Sequence, residues 1–131
     1  MRRKYGIKFF PERILTIMKK EQYGKEINYS DSMGKGCYIL RYYLTESDVS
    51  EDYSNMKCYG IEIDKIERNP GMRDIRECKL IDGVFFNMNE ATEFLSKIKA
   101  TRTEPIDLKT ELEKYIFESV KKTRIEAAYK L

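Results

Sequence analysis

Histidine and tryptophan are both absent from this chain of 131 residues, and proline and cysteine occur only three times each. Without histidine there is no imidazole to act as general base, proton switch near neutral pH or metal ligand. Much of enzyme chemistry is removed by that single absence. Cys37, Cys58 and Cys78 are an odd number, widely spaced and without a C-x-x-C pair, so they outline neither a disulfide framework nor a zinc knuckle. They read as small thiols of a reducing compartment. No apolar run approaches the roughly 18 residues that a membrane span needs. Pro11, Glu12 and Arg13 interrupt the apolar residues after Phe10, so the N-terminus has no signal-peptide core. A cytoplasmic protein without membrane contact is expected, with no cofactor and no metal.

What is present is charge and aromatic mass. Hydrophobic residues are 41% and charged residues 36% of the chain, which places it among globular proteins rather than disordered ones. The length suits one domain over residues 1–131. The net charge of +3 is uneven: residues 1–30 carry +5, residues 31–104 carry −3 and residues 105–131 carry +1. At the basic end, Arg2, Arg3, Lys4 and Lys8 interleave with Tyr5, Phe9 and Phe10, a mixture that pairs with phosphates and stacks on bases. A nucleic-acid-binding accessory role through this arm is therefore an alternative reading. Against it stand the acidic middle of the chain and the lack of any RNP-type strand or recognition-helix signature.

Hydrophobic periodicity divides the chain into a basic segment of uncertain structure at 1–36, a β-meander at 37–86 and two helices at 87–128. CYILRYYL alternates, with Tyr38, Leu40, Tyr42 and Leu44 on one side. TESDVSEDYSN reads as a solvated loop. In CYGIEIDKIE, residues 58–67, Tyr59, Ile61 and Ile63 share the inward parity, so Glu62 and Asp64 are expected to face water. Glu67 has inward parity but sits beside the turn RNPG, where Pro70 and Gly71 suit the central positions of a type II turn. MRDIRECKLI resembles an exposed edge strand. Asp82-Gly83 suggests a two-residue hairpin turn into a short strand at 84–86. Asn87 is the expected N-cap of a helix with a stripe of Ala91, Phe94, Leu95 and Ile98. Asp107 is the expected cap of a second, whose stripe is Leu108, Leu112, Tyr115, Ile116, Val120 and Ala127, with Phe117, Ile125 and Tyr129 off it. RILTIMKKEQ reads as a strand that joins the sheet, and GKEINYSDSMGKG as a connection. The fold expected is α+β: an antiparallel β-meander sheet of three to five strands with two C-terminal helices packed on one face, the other face remaining open.

The order of motifs resembles a small family of bacterial proteins described only as a domain of unknown function, from anaerobic low-GC Gram-positive bacteria. Tyr42, Tyr43, Leu44, Glu46 and Ser47, then Tyr59, Gly60, Ile61, Glu62 and Ile63, then Pro105 and Leu108 carry the likeness, over residues 37–117. It implies a fold and assigns no catalytic residue. The N-terminal segment and the tail after Phe117 are read as departures from the family pattern.

The acidic residues do not assemble a metal site along the chain. In E-I-D-K, Lys65 lies on the opposite face from Glu62 and Asp64, so a nuclease-like arrangement lacks its cation. The run from Asp48 lacks the glycine and the bidentate glutamate of a calcium loop, and Gly34 and Gly36 lack phosphate-loop spacing. Nucleophilic catalysis is left with Lys, Tyr or a carboxylate as the base, and an enzyme of unrecognised type is the remaining alternative. The leading expectation is a non-enzymatic protein-interaction or regulatory module. Its surface is the outer sheet face with Ile39, Arg41, Tyr43, Glu62 and Asp64, and its partner another protein or a second copy of the chain.

Overall fold

The computed structural model describes residues 14–30, 36–50 and 55–129. Strands β1 (Ile14–Gln22), β2 (Ile27–Ser30), β3 (Cys37–Ser50), β4 (Asn55–Arg68) and β5 (Ile75–Phe85) precede helix α1 (Met88–Ala100), a 3₁₀ turn at Pro105–Asp107 and helix α2 (Leu108–Tyr129). All pairings are antiparallel, in the order β1-β3-β4-β5 with β2 also on β3. This is the expected α+β fold, with the helices on one face of the sheet.

RILTIMKKEQ does join the sheet as β1, and the supposed connection after it contains a strand of its own. β1 pairs with Tyr43–Ser50 and β2 with Cys37–Leu40, so the two lie end to end along one flank of β3. Between them Gly24 takes φ +70°, and Lys99 of α1 donates from Nζ to the carbonyl of Tyr23 at 3.1 Å. The edge strand breaks where a helix side chain sits on it. Ile27 and Tyr29 pack on the core from β2, and Tyr29 stacks on Tyr38 with ring centroids 5.2 Å apart. Four residues between glycine-rich flanks are too few to show this as a period.

The acidic segment after Leu44 is also strand as far as Ser50, because its polar side chains have a partner across the sheet. Thr45 and Ser47, both fully buried, donate to the Asp82 carboxylate at 3.1 and 3.0 Å. Asp82 and Gly83 do not turn the chain. They form a bulge in β5, where the register slips between Tyr59↔Phe85 and Ile61↔Ile81. Gly83 takes φ +66°, and its N–H donates to Asp82 Oδ1 at 2.9 Å. The dipeptide supplies a left-handed residue, which a bulge uses as well as a hairpin does. RNPG makes the expected turn, with Met72 N–H donating to Asn69 O at 3.0 Å and Gly71 at φ +75°. β4 runs on to Arg68, so Glu67 is still strand.

The core lies between sheet and helices: Leu40, Tyr42, Ile61, Ile63 and Phe85 meet Ala91, Phe94, Leu95 and Ile98 of α1 and Leu108 and Leu112 of α2. Each fully buried large side chain contributes about 1.5–3 kcal/mol. Asn87 caps α1, accepting at Oδ1 from Asn89 N–H at 2.7 Å. Asp107 does not cap α2; it ends the 3₁₀ turn, which starts at Pro105 and closes through Asp107 N–H to Glu104 O at 3.0 Å. The linker is pinned by Tyr42, whose hydroxyl donates to Thr103 O at 2.8 Å. Phe85, Phe94 and Tyr115 form one aromatic cluster with centroids 5.3 to 6.0 Å apart. The stripe of α2 stops being core there: Ile116 and Val120, expected inside, are exposed.

Two expectations follow. A Cβ at Gly60 meets Ile81 O at 2.5 Å, Asp82 Cα at 2.7 Å and Thr45 Oγ1 at 2.7 Å; Gly60→Ala therefore lowers unfolding stability by about 1–3 kcal/mol in urea titrations. Tyr42→Phe leaves Thr103 O without its donor and costs about 1 kcal/mol near neutral pH. Burial, then the charges of Tyr29 and Glu104, raise the Tyr42 pKa above the usual phenol value. A raised folded-state pKa stabilises fully below the unfolded value, so the advantage of wild type over Tyr42→Phe shrinks as the pH climbs above about 10.

Candidate functional site

Strand parity puts Ile39, Arg41, Tyr43, Glu62 and Asp64 together on the sheet face away from the helices, as the alternation predicts. The cross-strand register sets Tyr43 beside Glu62 and Arg41 beside Asp64. That face is not open, however. Glu62 is 7% exposed and Ile39 5%, while Arg41, Tyr43 and Asp64 are half-buried. Glu62 does not face water: its Oε2 accepts from Lys20 Nζ of β1 at 2.7 Å, and the same ammonium lies 4.6 Å from the centre of the Tyr43 ring. The cation missing from the local sequence arrives from a strand 42 residues away. Arg41 reaches Glu26 at 2.8 Å through Nε instead of pairing with the carboxylates of β4.

Asp64 lies opposite Cys78 of β5 in the register, and one of its carboxylate oxygens is buried without a hydrogen-bond partner. Glu62, Asp64 and Cys78 each bring a ligand atom to within 4.8 Å of the others. The chemistry of this cluster is muted. Burial first, then the hydrogen bond and charge of Asp64, push the Cys78 thiol up to about 12, so it is held as a neutral thiol and not as a nucleophilic thiolate. The hydrogen bond and charge of Glu62 raise Lys20, outweighing desolvation, and keep it as an ammonium. A metal ion entering here has to displace Lys20 and take the proton of Cys78. Cys58, fully buried, is also raised, by desolvation before the charge of Asp82. The group therefore works as an ion-paired packing layer.

A second region was not legible from the sequence. β5 ends the sheet, and among the described residues no strand pairs with its outer edge. Beside it, β5 and α2 enclose a groove of about 390 Å³ lined by residues that include Lys79, Ile81, Leu112 and Ile116. On β5, Leu80 shares the far face with Glu62, while Lys79 and Ile81 share the helix face with Ile63 and Ile61. Leu80 and Ile116 are each about 40% exposed. A signal for this region lay in α2, which carries more apolar residues than one stripe buries. Arg2, Arg3, Lys4 and Lys8 lie outside the described residues.

The state of the thiol is measurable. Alkylation of Cys78 by iodoacetamide at mildly alkaline pH, followed by mass spectrometry, is expected to be slow in the wild type. It should speed up in Asp64→Asn, because losing the neighbouring anion raises the thiolate fraction, while burial and Glu62 still hold the thiol up.

Among the described residues no helix is long and apolar enough to cross a membrane. No curated protein and no solved structure matches the chain. A family model does match, over residues 18–118. It takes in residues 18–36, which lie outside the span of the motifs, and leaves the chain beyond residue 118 outside it. The match joins β1 to the motifs of β3, β4 and α2 in one pattern, and the chain belongs to the family of unknown function DUF6514.

Proposed function

We propose that this chain is a small cytoplasmic protein-interaction module without enzymatic activity, which takes an extended segment of another protein along the outer edge of β5. The observation that carries this reading is the pairing of an unmatched strand edge with an adjoining apolar-floored groove. An added strand finds backbone partners on β5, Leu80 on one face, and Ile81 and Ile116 on the other, so a segment with alternating apolar side chains is held on both sides. Both edge strands carry a register irregularity and charged side chains, and β5 is favoured because the groove adjoins it. A non-enzymatic role is supported by the far-face cluster, whose lysine and thiol are both held protonated. The free thiols of Cys37, Cys58 and Cys78 agree with a reducing compartment.

The test is selection of binding peptides from a displayed random library against the purified chain. Selected peptides should alternate apolar residues, and the Leu80→Glu, Ile116→Glu double variant should weaken their binding at least about tenfold in calorimetry while its far-UV circular dichroism stays unchanged. Peptides that bind the double variant equally well, or a selection that enriches none, refute the reading.

A further inference from the structure

The middle of α2 carries exposed apolar side chains. Ile116, Phe117 and Val120 are 39%, 66% and 48% exposed, and every residue from 116 to 123 is classed as exposed. Among the described side chains, core contact holds this helix through its first two turns, at Leu108, Leu112 and Tyr115. A helical segment without packing is marginal in water. The exposed apolar side chains at 116, 117 and 120 therefore call for a surface that covers them.

The charges around Phe117 say what kind of surface. Glu113 and Lys121 lie four residues before and after it, so all three fall on one side of the helix within about 80°. We propose that a second copy of this chain covers this side, its α2 running antiparallel to the first across a two-fold axis at Phe117. That axis sets Glu113 of each copy against Lys121 of the other, so a single charge pattern yields two ion pairs, as a self-complementary interface requires. The two Phe117 rings meet at the centre, and each Val120 lies against the aliphatic stem of the other copy's Lys114. A parallel pairing sets Glu113 against Glu113 and Lys121 against Lys121, which repel. The charge order thus selects the antiparallel arrangement.

This goes beyond the binding of a strand by β5 and does not depend on it. Phe117 points about 100° further round the helix than Ile116, which lines the groove; Glu113 borders both surfaces, whereas Phe117 and Lys121 lie outside the groove lining, so Lys121→Glu probes the dimer without touching it.

Sedimentation velocity of the purified full chain over a concentration series tests the proposal. The wild type is expected to show a monomer–dimer equilibrium. Glu113→Lys and Lys121→Glu, each at an exposed position, should each raise the dissociation constant at least about tenfold, and the double charge swap should restore it. Unchanged far-UV circular dichroism shows that the variants fold. A chain that stays monomeric throughout, a dimer indifferent to either single variant, or a swap that fails to restore association overturns the proposal. Peptide binding at β5 is measured separately through Leu80→Glu, so either idea can fail alone.

Discussion

The carboxylate of Asp82 is the contact on which the far half of the sheet depends. It accepts from Thr45 and Ser47 of β3 and from the N–H of Gly83, and so reaches across β4 from the bulge in β5. That reach is open only because Gly60 has no side chain: Ile81 O, Asp82 Cα and Thr45 Oγ1 occupy the space a Cβ would need. The bulge in turn lets Phe85 face Phe94 and Tyr115, where both helices meet the sheet. A buried acceptor, a left-handed glycine and a missing Cβ thus act as one unit, and loss of any member leaves buried hydroxyls or a clash.

The outer face carries a polar layer whose lysine and thiol are both held protonated. A lysine, a tyrosine, two carboxylates and a thiol come together around Glu62, Asp64 and Cys78. Nucleophilic use of a lysine or a cysteine requires a neutral amine or a thiolate. Here the carboxylates act in the opposite direction, since negative charge beside an ammonium or a thiol stabilises the protonated form of each. The ion pairs with Lys20 and Glu26 satisfy side chains that the sheet has half buried. They contribute modestly to stability where they remain partly in water.

Much of this fold was readable from parity and helical spacing. The alternation of β3 and β4, the Pro70-Gly71 turn and the α1 stripe all depend on near neighbours in the chain, which sequence displays directly. The misreadings share a cause: each residue is decided by a partner far away. Thr45 and Ser47 look like loop until Asp82 supplies their acceptor. Glu62 looks solvated until Lys20 reaches it from β1. Asp82-Gly83 satisfies the dihedral demands of a hairpin and of a bulge alike, and only the register with Tyr59 and Ile61 separates them. The helix α2 announced its excess of apolar residues, but a single stripe could not say where the core stops.

The register also orders the assembly of the sheet in time. Ser50 pairs with Asn55, Glu67 with Ile75 and Ser30 with Cys37, so β2 to β5 close through short intervals of chain, whereas the nearest pair of β1 and β3, Gln22 with Tyr43, spans 21 positions. Closure entropy grows with the interval, and non-local pairings come late. The hairpins of the central meander are therefore the natural nucleus. β1, clasped just past its end by a lysine from α1 at the carbonyl of Tyr23, is the last piece to be fastened, since that clasp exists only once the helix is in place.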